Sequence, residues 1–311
     1  MDILVATRDR VLLLAPETGE LRPTRVREPR PTCLAADRTT GRAWCGTEDG
    51  VFRSDDGGES WVEAGLGGEE ITALAADPAE AGAVWAGTEP SAVHRTTDGG
   101  RSWRRAGGLL DLPSSAEWSF PPRPATHHVR WIAPHPREAG CLWVAIEAGA
   151  LVTTSDGGAT WRDRVPGSPY DTHEIAIHPD RPDTLRIAAG DGYYESDDGG
   201  STWRSPGEGL EVGYLRSVAV DPGDPDTVLV SGASRAKSAY AAGHSDGRVF
   251  RRTDGSAWER VTDGWPGEPE TIAPLLVAGR QPGEIWAADE RGVHRSADGG
   301  RSWEAAAEFG S

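Results

Sequence analysis

An eight-residue pattern returns along the chain and restricts its fold more than any other feature. Ser54–Trp61 (SDDGGESW), Thr96–Trp103 (TTDGGRSW), Thr154–Trp161 (TSDGGATW), Ser196–Trp203 (SDDGGSTW) and Ser296–Trp303 (SADGGRSW) all read Ser/Thr-x-Asp-x-Gly-x-Ser/Thr-Trp. A sixth copy ends at Trp258 and is one residue short after Asp254. The closing tryptophans stand 42, 58, 42, 55 and 45 residues apart, the period of a repeat architecture. The octet has a mechanical reading. Its Asp and Ser/Thr oxygens accept hydrogen bonds from turn amides, and its glycines take positive φ. Its Trp opens the next strand, buries a large ring and finds a partner for its N–H. Acid–base catalysis needs one carboxylate, not six, so the octet aspartates are assigned to structure.

Four short strands can be read around each octet. In one unit they run Ile71–Asp77, Ala83–Thr88, Ala92–Thr96 and Ser102–Ala106, with the octet joining the third to the fourth. The second strands carry Trp44, Trp85, Trp143 and Trp286 at equivalent places, which makes those rings core. The 40 glycines and 23 prolines suit such punctuation, and no helical periodicity runs through the chain. Residues 3–25 add a unit without an octet that aligns with strands two to four. The expectation is all-β: a single β-propeller domain over residues 1–311, seven-bladed with six as the alternative, built from four-stranded antiparallel blades.

These octets resemble the BNR or Asp-box repeats of sialidase-like propellers, and the resemblance covers nearly the whole chain. Sialidases, two-domain xyloglucanases, sortilin-type receptors and the photosystem II assembly factor belong to that superfamily. The resemblance implies the propeller and leaves the activity open. Sialidases also carry a Phe/Tyr-Arg-Ile-Pro tetrapeptide, and none occurs here.

A net charge of −17 argues against nucleic acid or an anionic membrane as partner. No apolar run approaches membrane-spanning length, and the first residues enter a strand rather than a signal peptide, so the expected location is the cytoplasm. Cys33, Cys45 and Cys141 are expected to be free thiols, with Cys33 and Cys45 placed to face each other across a hairpin.

Setting aside what the repeat explains leaves one sector. His135 and His178 fill the slot of Asp77 and Asp221 before a proline, and His94 and His294 match on third strands. His127, His128, His173 and His244 have no such reason, and all five tyrosines (Tyr170, Tyr193, Tyr194, Tyr214 and Tyr240) fall with them on segments opposite the octets. Aligning the inner strands puts Thr32, Thr72, Arg130, His173, Arg216 and Ala273 at one position. Guanidinium forks suit a carboxylate or phosphate. The competing reading pairs these arginines with Glu147, Glu174 or Asp171 to hold the blades together. Two insertions, 107–126 with Trp118 and Phe120 and 231–248 with Tyr240, open on the same face. Glu48, Glu89, Glu147 and Glu290 share a register at the ends of second strands, where only Glu147 is expected to be more than a solvated turn residue.

The expected function is an enzyme of hydrolase or lyase type acting at the channel mouth on an anionic or glycan-like small molecule. Arg130 and Arg216 would grip its acid group, with Glu147, Trp118, Tyr170, Tyr193, Tyr194, Tyr214 and Tyr240 around it. His173, with Glu174 or Asp171, would move the proton. No cofactor is required, although His127, His128, His173 and His244 can donate imidazoles to one divalent metal such as Zn²⁺. The alternative is a non-catalytic scaffold or assembly factor with a protein partner.

Overall fold

The computed structural model describes residues 2–24, 29–241, 243, 245–265 and 271–309. They form seven small antiparallel sheets, each a meander, and the fold is an all-β, seven-bladed propeller. The chain divides into two compact units, Met1–Arg164 and Val165–Ser311. Among the described residues, helix amounts to Ala236–Tyr240 and the two 3-10 turns Leu109–Asp111 and Pro113–Glu117.

The first unit holds four blades. Blade one is three-stranded (Ile3–Ala6, Val11–Ala15, Glu20–Pro23) and matches strands two to four of the others. Blade two (Pro31–Asp37, Arg42–Thr47, Gly50–Ser54, Val62–Glu63) and blade three (Glu70–Ala76, Val84–Glu89, Val93–Thr96, Arg104–Arg105) are complete. Blade four (Val129–Pro134, Leu142–Ile146, Ala150–Thr154) keeps its fourth strand only as the bridge between Thr153 and Arg162.

The second unit holds three. Blade five (Thr172–Ile177, Leu185–Ala189, Gly192–Ser196) ends in the bridge between Glu195 and Arg204. Blade six (Tyr214–Asp221, Asp224–Ala233, Arg248–Arg252, Glu259–Arg260) and blade seven (Leu275–Ala278, Ile285–Ala288, Gly292–Ser296, Glu304–Glu308) are four-stranded. Buried apolar rows from neighbouring sheets form the cores, with Trp44 and Trp85 wholly enclosed. Cys45 pairs with Leu34 and Cys33 with Gly46, one residue away from the facing pair expected, because the hairpin loop holds four residues rather than five. All three cysteines are unbridged.

The octet turns carry the expected chemistry. Ser54 Oγ accepts the Gly58 amide at 2.7 Å and donates to Asp56 Oδ1 at 2.7 Å. Asp56 also accepts the Ser60 amide at 2.9 Å and its hydroxyl at 2.5 Å. The same bonds recur around Asp98, Asp156, Asp198 and Asp298. Each octet Trp donates its N–H to a backbone carbonyl, as Trp103 does to Ala64 at 2.7 Å.

These bonds favour the ionised carboxylate. The Ser/Thr hydroxyl four residues on, followed by its amide, lowers Asp56, Asp98, Asp156 and Asp198 to about 2. A folded-state value below the ordinary 3.8 adds stability that is present above 3.8 and disappears as the pH falls towards about 2. Melting temperature is therefore expected to decline below pH 4. Asp98→Asn should flatten that decline, and an unchanged slope would remove the octets from the acid response.

Candidate functional site

The inner strands bring their aligned residues to one structural device. Thr32, Thr72, Arg130, His173 and Arg216 each sit at a register shift, between Pro31 and Cys33, Ile71 and Ala73, Val129 and Trp131, Thr172 and Glu174, and Leu215 and Ser217. A bulge re-aims its side chain out of the alternating pattern. In four of the five it aims at the backbone of the next blade. Thr32 Oγ1 donates to the Ile71 carbonyl, Thr72 Oγ1 to Val129 at 2.7 Å, His173 Nδ1 to Leu215 at 2.5 Å and Arg216 Nη1 to Ala273 at 2.5 Å.

In the second unit this gathers much of the expected set. A carbonyl only accepts, so His173 Nδ1 carries a proton. Its Nε2 lies 3.3 Å from the Tyr214 hydroxyl and 3.5 Å from Asp171. The Tyr214 ring meets His173 at 4.9 Å and Tyr240 at 6.1 Å, and the Arg216 guanidinium stacks on Tyr240 at 4.7 Å. The insertion supplies Tyr240 from its short helix, whose Ala239 carbonyl also accepts from Arg216 at 3.3 Å. His173 is enclosed, while Tyr170 and Tyr240 are 44% and 42% exposed.

Other expected residues stand apart from this group. Glu174 is buried, accepting from the Ser217 hydroxyl and, at 3.4 Å, the Val218 amide. Tyr193 is buried and donates to Glu195 at 2.9 Å. Tyr194 donates to Asp191 at 2.8 Å, and burial followed by that carboxylate raises its hydroxyl to about 12. His244 lies outside the described residues.

The first unit builds a second group from blades three and four and the insertion between them. His128 Nε2 donates to Glu147 Oε2 at 2.9 Å, and its Nδ1 stands 3.7 Å from Glu89 Oε2. Arg130 Nε lies 3.4 Å from Glu147, and Arg123 Nη2 donates to Glu89 at 2.6 Å. Phe120 packs edge-on against His128 at 4.7 Å, under the Arg123 guanidinium at 5.4 Å. His127 faces Trp118 at 5.8 Å, and desolvation lowers its pKa. Trp118 is itself buried in the core of blades three and four, where it donates to Ser114 Oγ at 3.0 Å.

Glu89 and Arg123 are the residues that sequence reasoning missed. Glu89 was expected to be a solvated turn residue, yet its carboxylate is buried because the insertion folds over it. Its register mates do behave simply: Glu48 pairs with Arg30, and Glu290 accepts the Ile272 amide at 3.1 Å. No helix among the described residues is long and apolar enough to cross a membrane.

No protein-family model matches the chain. In an alignment of 205 residues that covers 52% of this chain and 25% of the other, it is 26% identical to a probable oligoxyloglucan-reducing end-specific xyloglucanase of Neosartorya fischeri. Among solved structures it is similar to a GH74 enzyme of Niastella koreensis, at 16% identity and TM-score 0.75, covering 97% of this chain and 52% of that one. It is also similar to YCF48 bound to D1 peptide, at 19% identity and TM-score 0.64, covering 90% and 82%. The chain thus spans about half the GH74 enzyme it matches, and its likeness to the solved structures is one of fold.

Proposed function

We propose that the protein is a sialidase-like Asp-box propeller acting on a glycan-like, anionic small molecule by hydrolysis or elimination, on the blade ends opposite the octets. The observation that carries this reading is the first-unit group. Two carboxylates from neighbouring blades flank one imidazole, each with its own arginine, and the repeat requires none of it. Paired carboxylates are the usual equipment for breaking a glycosidic bond, one as proton donor and one opposite. Glu147, the less enclosed of the two, is the proton-transfer group in this reading, and the His128 hydrogen bond holds it in place. Arg130, 3.4 Å from Glu147, also meets the acid group of the substrate in this reading. The second-unit residues His173, Tyr214, Tyr170 and Tyr240 are assigned to the second reading below. If a divalent ion such as Zn²⁺ takes part, elemental analysis of the purified protein reads it out.

The similarity to a xyloglucanase selects the first substrates: xyloglucan oligosaccharides, then uronate-containing ones. With whichever is turned over, Glu147→Gln should lower kcat by about 10²–10⁴-fold, the usual contribution of a positioned acid or base, at near-native melting temperature. Undiminished turnover in that variant would sink the assignment.

A second reading is favoured by Arg216 and His173, whose donors go to backbone carbonyls beside Tyr214 and the exposed Tyr240. That surface suits a peptide, and a neighbour in fold, YCF48, is described as bound to one. On this reading Tyr170→Ala with Tyr240→Ala abolishes partner binding, and no glycan is turned over.

A further inference from the structure

Comparing blades position by position exposes a second group, at the octet ends of blades five and six. Where strands two and three pair, blades two, three and seven place Trp44 opposite Arg53, Trp85 opposite Arg95 and Trp286 opposite Arg295. In blades three and seven the guanidinium stacks on the indole at 5.1 and 5.4 Å. Blade five puts Arg186 opposite Glu195 instead. One step further, where Ser196 of blade five faces Leu185 and opens an octet, blade six has Arg252 facing Val228.

The three departures meet. Arg252 Nη2 donates to Glu195 Oε2, Arg186 Nη1 lies 3.3 Å from the same oxygen, and Arg204 Nε donates to Oε1 at 2.5 Å. Burial would raise Glu195, but the Arg204 hydrogen bond and the charges of Arg186 and Arg252 outweigh it and hold the carboxyl below its ordinary value. Above this floor opens a cavity of about 410 Å³, lined also by Arg181, Thr184, Asp197, Asp226 and Asp254.

Its charges and donors are not closed by the protein. Arg181 and Asp226 satisfy each other in a two-pronged pair, and Asp254 is exposed to solvent. The lining balances overall, but its enclosed part sets Arg186 and Arg252 against Glu195 alone, one positive charge in excess among the buried groups. The Nε atoms of Arg186 and Arg252 are buried without a hydrogen-bond partner among the described residues. A buried donor without an acceptor is costly, and an oxyanion supplies acceptors and charge together.

We propose that this cavity binds a small oxyanion, or a molecule presenting one, with Arg186 and Arg252 as buried donors and Arg204 as the exposed arm over it. Its residues belong to the octet ends of the second unit and are separate from those of the proposed glycan site, so either proposal can fail alone.

Thermal unfolding and calorimetric titration of the whole chain test it, with inorganic phosphate, sulfate and malonate each compared against sodium chloride at matched ionic strength. At least one anion should raise the melting temperature saturably. Phosphate or sulfate alone would mark a tetrahedral ligand, and malonate alone a carboxylate. Arg204→Gln should weaken that anion about tenfold while leaving the melting temperature in chloride near native, since a charge-assisted bond is lost from a solvated side chain. Arg186→Trp, the residue of four other blades at this position, should abolish binding. Melting that follows ionic strength alone with all three anions, or undiminished binding in Arg186→Trp, would overturn the proposal.

Discussion

Replacing Trp85 by Ala should cost about 3–5 kcal/mol of folding free energy, the range for deleting a buried aromatic ring. The ring is fully enclosed, packed in the core of blades three and four with Val129, Leu142 and Val144. Its Nε1 donates to Asp77 Oδ2 at 3.3 Å, and Arg95 stacks on its face at 5.1 Å. Deletion leaves a void that rigid sheets fill poorly, and Arg95 loses the surface it lies on. Trp85→Phe separates these terms: it keeps most of the packing and loses the N–H bond, so it should cost well under half as much. Equilibrium denaturation in urea reads both. A loss below about 1 kcal/mol in Trp85→Ala would mean that second-strand tryptophans are not what holds the blades together.

That ring was legible in the sequence for the same reason as the octets. An octet closes the hydrogen bonds of its Ser/Thr and Asp side chains within the turn, as from Ser54 to Ser60, so the turn is written locally. A tryptophan recurring at one place in successive units, as Trp44, Trp85, Trp143 and Trp286 do, points to core wherever the units pack alike. The missing inner strand of blade one was readable too, because strand order and parity survive translation from one unit to the next.

The site was legible only in part. Aligning the inner strands found the column of Thr72, Arg130, His173 and Arg216 but not its direction. A register shift lies there in each of those blades, and for three of the residues the side chain turns towards a carbonyl of the next blade, a partner 57 residues away for Thr72, 42 for His173 and 57 for Arg216. Nothing local announces such a bond. Glu89 was hidden similarly: its register with Glu48 and Glu290 suggested a solvated turn, and only the fold of the insertion, with Arg123 and Phe120, encloses it. The charged group of blades five and six did leave a signal. The tryptophan column is interrupted at Arg186, and the sixth octet is defective from its first residue, Arg252. Reading a repeat by its matches passes over such breaks, whereas reading it by its exceptions finds them.

Glu195→Gln should be among the most damaging single substitutions in the second unit. The Arg186 and Arg252 side chains are 7% and 5% exposed, and the carboxylate between them is 4% exposed. Removing the negative charge leaves two enclosed guanidinium groups facing each other. Breaking a buried pair from one side generally costs about 3–5 kcal/mol, because the remaining charge is neither solvated nor compensated. The effect should come from repulsion rather than lost packing, since Gln fills nearly the same space. The repeat itself provides the control. Arg186→Trp, Glu195→Arg and Arg252→Ser together rewrite the group as blades three and seven have it, with an arginine stacked on an indole and a hydroxyl opening the turn. That triple variant should recover to within about 1 kcal/mol of the native protein, since exchanging a buried ion cluster for well-packed residues is often neutral or better. Urea denaturation of the single and triple variants decides it. If Glu195→Gln alone is as stable as the native chain, the arginines have another source of compensation. If the triple variant is no better than the single one, blade five needs its charges for packing that the other blades do not share.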